Sequence, residues 1–241
     1  MNFERIFDKH LQYCGIKRSF GYGFYFKNYI FKDIDLKNKS LMDFGGGNGI
    51  ASFFAVHSDK TCNCTVVDPF DEGSNSQMSS QYHKLSRFYG SSVSLHNDYV
   101  ESLPIGNKFD LILMHNSINH IGEDIIEDVA TNKNHWEKYL EKLKPVVLRA
   151  KKGAKLIVAD CSNKNFWNDL GIRNPIAPSI EWNIHQPPHV WRCMFEELGC
   201  THVNTNWTTR REFLTLGKIL LANKFCNYFM GSHFVSTYKK M

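Results

Sequence analysis

No apolar run in the 241 residues approaches the roughly 20 needed to cross a bilayer, so a membrane-spanning helix is not expected. The opening residues, Met1 to Arg5, lack the apolar core of a secretory signal. Seven cysteines (14, 62, 64, 161, 193, 200 and 226) form an odd set without a Cys-x-x-Cys pair. Cys62-x-Cys64 would put two thiols on one face of a strand, where a zinc site can be imagined, but reduced, buried thiols of an intracellular protein are the expectation. No block of lysine or arginine of the kind that tracks nucleic acid is present. The net charge of +5 permits an anionic small substrate and implies no nucleic-acid partner. A chain with 42% hydrophobic and 14% aromatic residues is not disordered. Its length suits one domain with one large core, and a soluble, cytoplasmic protein follows.

What is present is organised around Leu41-Met42-Asp43-Phe44-Gly45-Gly46-Gly47-Asn48-Gly49. An apolar strand ends in an acidic residue, crosses a glycine-rich turn and enters an apolar helix from Ile50 to Val56. Glycine in that turn supplies positive φ and lets a ligand approach the backbone, while the helix N-terminus presents free N–H groups. Polar residues then recur where later strands end. Cys64 to Val67 leads to Asp68, placed to hold ribose hydroxyls. Val93 to His96 leads to Asn97 and Asp98, and Phe109 to Met114 leads to His115 and Asn116. Open α/β sheets bind ligands at that edge.

The glycine spacing separates two cofactors. A dinucleotide fingerprint needs a small third residue at position 50, which here is Ile. The pattern present is Gly-x-Gly-x-Gly at 45, 47 and 49. With the acidic strand ends at Asp68 and Asp98 and the loop after the fourth strand, the chain resembles the class I S-adenosylmethionine-dependent methyltransferases over residues 40–160. The resemblance implies an α/β fold: a doubly wound, Rossmann-like, seven-stranded sheet, mostly parallel with an antiparallel last strand, and helices on both faces. It implies S-adenosyl-L-methionine as cofactor, bound by Asp43, Gly45, Gly46, Gly47, Asp68, Pro69, Phe70, Asn97, Asp98, Tyr99, His115 and Asn116. Phe70 stands where the adenine ring would lie, and Asp98 where the adenine amino group would donate.

One domain over 1–241 is expected, with a cap at 1–39, a cofactor core at 40–160 and a substrate segment, extra helix and final strands at 161–241. Phe3 to Leu11 reads as an amphipathic helix. In the cap, Tyr22, Tyr25 and Arg18 are candidates to cover the sulfonium or hold the methionine carboxylate; an aromatic cluster packed on the sheet is the competing reading. Gly73 to Ser80 reads as a loop and Gln81 to Tyr89 as a helix. Asn134 to Ala150 reads as the crossover helix despite Pro145, followed by a fifth strand, Ala154 to Asp160. Thr201 to Trp207 and His233 to Tyr238 read as the last strands. Phe213 to Met230 reads as an extra helix, placed to cap the site or form a homodimer face.

Methyl transfer to an alcohol needs alignment of the nucleophile and removal of its proton. The first candidate base is His185, within the long segment 161–186, with Glu181 one helical turn earlier if that stretch is helical. His120 is the second, and it competes with a structural role inside the fold. Magnesium ligation through Asp160 is short of hard oxygen partners because the fourth strand ends in His115-Asn116, so no metal is expected. The acceptor expected is a small molecule, anionic or sugar-containing, since related patterns occur with saccharide or capsule biosynthesis. An NAD(P)-dependent oxidoreductase and a non-catalytic S-adenosylmethionine-binding protein are the alternatives, and no Tyr-Lys hydride-transfer pair is found for the former.

Overall fold

Strands β1 (Ser40–Phe44), β2 (Asn63–Val67), β3 (Val93–His96), β4 (Phe109–His115), β5 (Ala150–Cys161), β6 (Cys200–Trp207) and β7 (His233–Lys240) form one sheet in the order β3-β2-β1-β4-β5-β7-β6. The computed structural model describes residues 2–71 and 76–241. Strands β1 to β5 pair in parallel, and β7 runs antiparallel to both of its neighbours, β5 and β6. The chain leaves β1 toward β2 and β3, then returns to place β4 on the other side of β1. That reversal opens a crevice at the C-terminal ends of β1 and β4, where doubly wound sheets take their ligands.

Side chains alternate across the sheet with the strand period of two. Leu41, Leu111, Leu113, Ile157 and Val235 enter one core, and Met42, Ile112, Met114, Leu156, Val158 and Phe234 enter the other. The first core is covered by α1 (Phe3–Tyr13), by α2 (Tyr22–Tyr25) with the wide turn Phe26–Ile30, by α3 (Ile50–Ser58), and by α4 (Ser76–Tyr89). The second is covered by α5 (Lys133–Leu148) and later by α7 (Pro188–Glu197). Helix α3 is nearly apolar throughout because it lies against the sheet with little solvent on either side. The remaining helices are short: α6 (Phe166–Asp169), α8 (Leu214–Leu220) and α9 (Lys224–Phe229).

Three boundaries depart from the sequence expectation. Helix α4 already begins at Ser76, so the second half of the expected loop is helical, while 73–75 lie outside the described residues. Strand β5 starts at Ala150, ahead of the expected turn. Gly153, at φ 82°, kinks it while β4 advances only from Phe109 to Leu111. Pro145 stays inside α5 as expected, and burial of Leu143, Val146 and Val147 around it offsets the missing hydrogen bond. The expected helix from Phe213 to Met230 is two helices, because the Asn223 side chain accepts from the Cys226 N–H and starts α9 afresh.

Candidate active site

The turn after β1 is held from below. The Gly45 N–H donates to the Val67 carbonyl at 2.8 Å, and the Gly47 N–H donates to Asp68 Oδ2 at 2.7 Å. Gly45 has φ 61°, and a Cβ there would sit 2.5 Å from that of Ser117. A Cβ on Gly46 would come within 2.7 Å of the Asp43 carboxyl carbon, so the loop is drawn tight over that carboxylate. Ser117 Oγ donates to the Phe44 carbonyl at 2.6 Å and fastens the end of β4 to the end of β1.

Above this turn lies a cavity of about 520 Å³. Asp43 and Asp68, 1% and 2% exposed, form its acidic floor. Burial pushes the Asp43 carboxyl up to about 6, against the hydrogen bond that Ser52 Oγ donates at 2.8 Å. Asp68 Oδ1 accepts from the Phe70 N–H at 2.8 Å, so both carboxylate oxygens are tied to the backbone of the two turns. Pro69, Met78, Tyr99 and Val100 make an apolar slot on the β2–β3 side, with Asp98 at its edge. His115, Asn116 and Ser117 form the opposite wall, and Tyr22 and Phe26 the roof.

Of the residues expected from sequence to hold the cofactor, the cavity brings together Asp43, Gly45, Gly46, Gly47, Asp68, Pro69, Asp98, Tyr99, His115 and Asn116. Phe70 and Asn97 do not line it. Phe70 adopts φ 57° and folds its N–H back onto Asp68, and Asn97 is exposed, as are Asp98 and Tyr99 at the cavity's edge. Arg18 is exposed and contributes only its carbonyl, which accepts from Arg211 Nη2 at 3.0 Å. Tyr25 lies behind the wall, its ring 5.9 Å from that of His115.

Arg211 is the cation that sequence reasoning missed. Its guanidinium sits 4.1 Å from the centre of the Tyr22 ring and so braces the roof. Asp8 completes the brace by accepting from the Gly21 and Gly23 N–H groups at 2.7 and 2.8 Å. Burial, reinforced by His233 and Arg211, pushes His115 down to about 4, so its imidazole is neutral at pH 7.

The two histidines considered as bases part company. His120 lines the cavity, with its Nδ1 on Glu123. His185 does not line it, and its partner is not Glu181. A single turn, Trp182–Ile184, replaces the expected helix, leaving Glu181 exposed and His185 extended. Asp160 takes that place: its Oδ1 accepts from His185 Nδ1 at 2.9 Å, and both groups are buried. A carboxylate can only accept, so the proton is on Nδ1 and the lone pair on Nε2. The ring keeps 11% exposure, and Nε2 makes no hydrogen bond among the described residues. The pair adjoins the cavity wall: Ala159, which precedes Asp160, accepts from the Asn116 N–H at 2.8 Å.

No protein-family model and no curated protein matches the sequence. Solved structures do match. An O-methyltransferase family 2 protein from Planctomyces limnophilus, solved with apigenin, aligns with a TM-score of 0.57 at 13% identity, over 99% of this chain and 62% of its own. The Burkholderia thailandensis 1,6-didemethyltoxoflavin-N1-methyltransferase, solved with its substrate and S-adenosylhomocysteine, aligns at 0.50 and 12% identity, over 85% and 72%. The [4+2]-cyclase SpnF aligns at 0.56 and 13% identity, over 98% and 80%. The chain spans only about half the length of several other matches, at 53%, 51% and 50%.

Proposed function

We propose that this chain, whose fold is that of the class I S-adenosylmethionine-dependent methyltransferases, binds S-adenosyl-L-methionine in the cavity over Asp43 and Asp68 and methylates a small-molecule acceptor. One observation carries the reading: a buried carboxylate pair lies directly beneath a glycine turn at the switch point of the sheet, beside an apolar slot. Asp68 fits ribose hydroxyls, Pro69, Met78 and Tyr99 fit an adenine ring, and Asp98 fits its amino group. Asp43, buried and in no ion pair among the described residues, fits the positive charge of the methionine end.

The cofactor supplies a methyl group activated by a positively charged sulfur. The residues of the chain orient and exclude water: the Tyr22–Phe26 roof covers the cavity, and Ser117 keeps the β1 and β4 ends in register. His185 Nε2 accepts the acceptor's hydroxyl proton, and Asp160 holds the ring in the required tautomer and stabilises the imidazolium that forms. His120 is the second choice of base. It lies nearer the cavity, but its Nδ1 partner, Glu123, is exposed rather than buried.

For the acceptor, we take an oxygen of a saccharide, nucleotide-sugar or related anionic metabolite, made in the cytoplasm, with the whole of 1–241 acting as one methyltransferase domain. The net charge of +5 supports an anionic group. The exposed side chains of Leu216, Ile219 and Phe225 support a homodimer through α8 and α9. A nicotinamide dinucleotide is disfavoured by Ile50, which fills the place of the third small residue. The SpnF neighbour makes turnover, rather than cofactor binding, the deciding test of reaction type.

The experiment is a pair of thermal melts followed by an assay. S-adenosylhomocysteine should raise the Tm and NADH should not, because only a ligand selective for the native state stabilises it. Methyl transfer from labelled S-adenosylmethionine into a cell extract or candidate sugars should follow. A rise with NADH alone, or binding without any transfer, would defeat the proposal in its first or its second half.

A further inference from the structure

We propose that Asp160, Cys161 and His185 also form a binding site for a zinc-class divalent cation, and that occupation of this site silences the base. One donor atom from each residue lies within 4.8 Å of the others, and all three residues are buried. Carboxylate, thiol and imidazole together are a borderline-soft set, suited to Zn²⁺ rather than Mg²⁺ or Ca²⁺. The hard-oxygen set that sequence alone would require is therefore not the relevant one.

A second observation points to a cation independently of that spacing. Asp160 Oδ1 accepts from both the Cys161 N–H at 2.8 Å and His185 Nδ1 at 2.9 Å, while Oδ2 is buried with no hydrogen-bond partner. An unsatisfied carboxylate oxygen in the interior carries a desolvation cost that a bound cation removes. Zn²⁺ bonds of about 2.0–2.3 Å hold tetrahedral donor atoms roughly 3.3–3.6 Å apart, so side-chain adjustments that open the 2.9 Å Asp160–His185 pair and draw in any donor farther out complete the set. The other close thiol pair, Cys62 and Cys64 with sulfurs 3.8 Å apart, gathers no third acidic, cysteine or histidine ligand among the described residues.

The chemistry balances. The imidazole proton moves from Nδ1 to Nε2, freeing Nδ1 to ligate, and the thiol proton leaves to solvent. Two anionic ligands and one imidazole then surround a doubly charged ion, so the buried site becomes neutral. Three protein ligands leave one coordination position for solvent. His185 in this state has no lone pair for the acceptor's proton. That consequence for turnover rests on the role given to His185 above, whereas the binding itself does not.

Cobalt titration of the reduced, chelator-treated protein tests the site directly. One Co²⁺ per chain should bind with a near-ultraviolet thiolate charge-transfer band, and Zn²⁺ should displace it. Cys161→Ser should abolish the band, and both Cys161→Ser and His185→Gln should weaken Zn²⁺ binding, measured by calorimetry, by about tenfold or more. Cys62→Ser should keep both. A band that survives in Cys161→Ser, or Zn²⁺ affinity unchanged in His185→Gln, would overturn the site. S-adenosylhomocysteine binding measured on the same samples reports on folding and on the methyltransferase reading separately, so failure of one is not failure of the other. Zn²⁺ should lower turnover reversibly, with a chelator restoring it; full turnover at saturating Zn²⁺ would overturn the silencing.

Discussion

The Gly47 N–H points at Asp68 Oδ2 across 2.7 Å, so the loop that follows β1 and the carboxylate that follows β2 are set by one another. A ligand meeting one of them necessarily meets the other. The bond is charge-assisted and buried, and the position of the loop depends on it.

Asp68→Ala is therefore expected to weaken S-adenosylhomocysteine binding by about 10- to 100-fold, the range for losing hydrogen bonds to a charged group. Calorimetry on a variant shown to melt cooperatively checks this. Unchanged affinity would remove Asp68 from the binding site.

Gly45→Ala introduces a Cβ at φ 61° and 2.5 Å from Ser117 Cβ. The loss expected is about 1–3 kcal/mol of stability from the left-handed backbone and the clash together. Ser117→Gly relieves the clash but loses the hydrogen bond to the Phe44 carbonyl, so the backbone part alone is the loss of the double variant relative to Ser117→Gly. Urea denaturation of the four members of the cycle reads the difference.

The two shifted groups of the cavity give stability opposite pH dependences. His115 is pushed down from 6.5 to about 4, so as pH falls through that window the unfolded chain takes up a proton that the folded chain refuses. Its contribution to stability is complete above 6.5 and declines toward 4. Asp43 is pushed up from 3.8 to about 6, so as pH rises through that window the folded carboxyl keeps a proton longer, and stability falls. Asp43→Asn should therefore raise the Tm of the free protein at pH 8 while weakening S-adenosylhomocysteine binding. A Tm that drops at pH 8 would contradict the burial cost assigned to Asp43.

Asp160→Asn and His185→Gln should both lower kcat at least tenfold and leave cofactor affinity nearly unchanged. Asp160 acts through His185 and is a positioning residue, so its variant should also displace the acidic limb of the kcat–pH profile. A normal profile with normal kcat would return the pair to a purely structural role.

The scaffold was legible because its signals are local. Apolar runs ending in Asp43, Asp68, Asp98 and His115 mark strand ends, and strand ends surround the ligand edge. Phe70 lies off the cavity lining because its left-handed backbone turns the chain there, which no alternation pattern reports. The spacing of Glu181 and His185 is visible in sequence as one helical turn, whereas the partner His185 has, Asp160, is 25 residues away near the end of β5. Arg211 lay beyond reach for the same reason, being 193 residues from the Arg18 carbonyl it binds. The break at Asn223 was readable, since asparagine is a strong helix start, and the apolar composition of 213–230 masked it.

The contact between Arg211 and Tyr22 joins two parts of the chain that are far apart in the order of synthesis. Tyr22 is made 189 residues before Arg211. The sheet from β1 to β5 can assemble meanwhile, but the ring beside its ligand crevice stays unbraced until Arg211 has been made. A nascent chain arrested before Arg211 would thus carry the crevice without that brace.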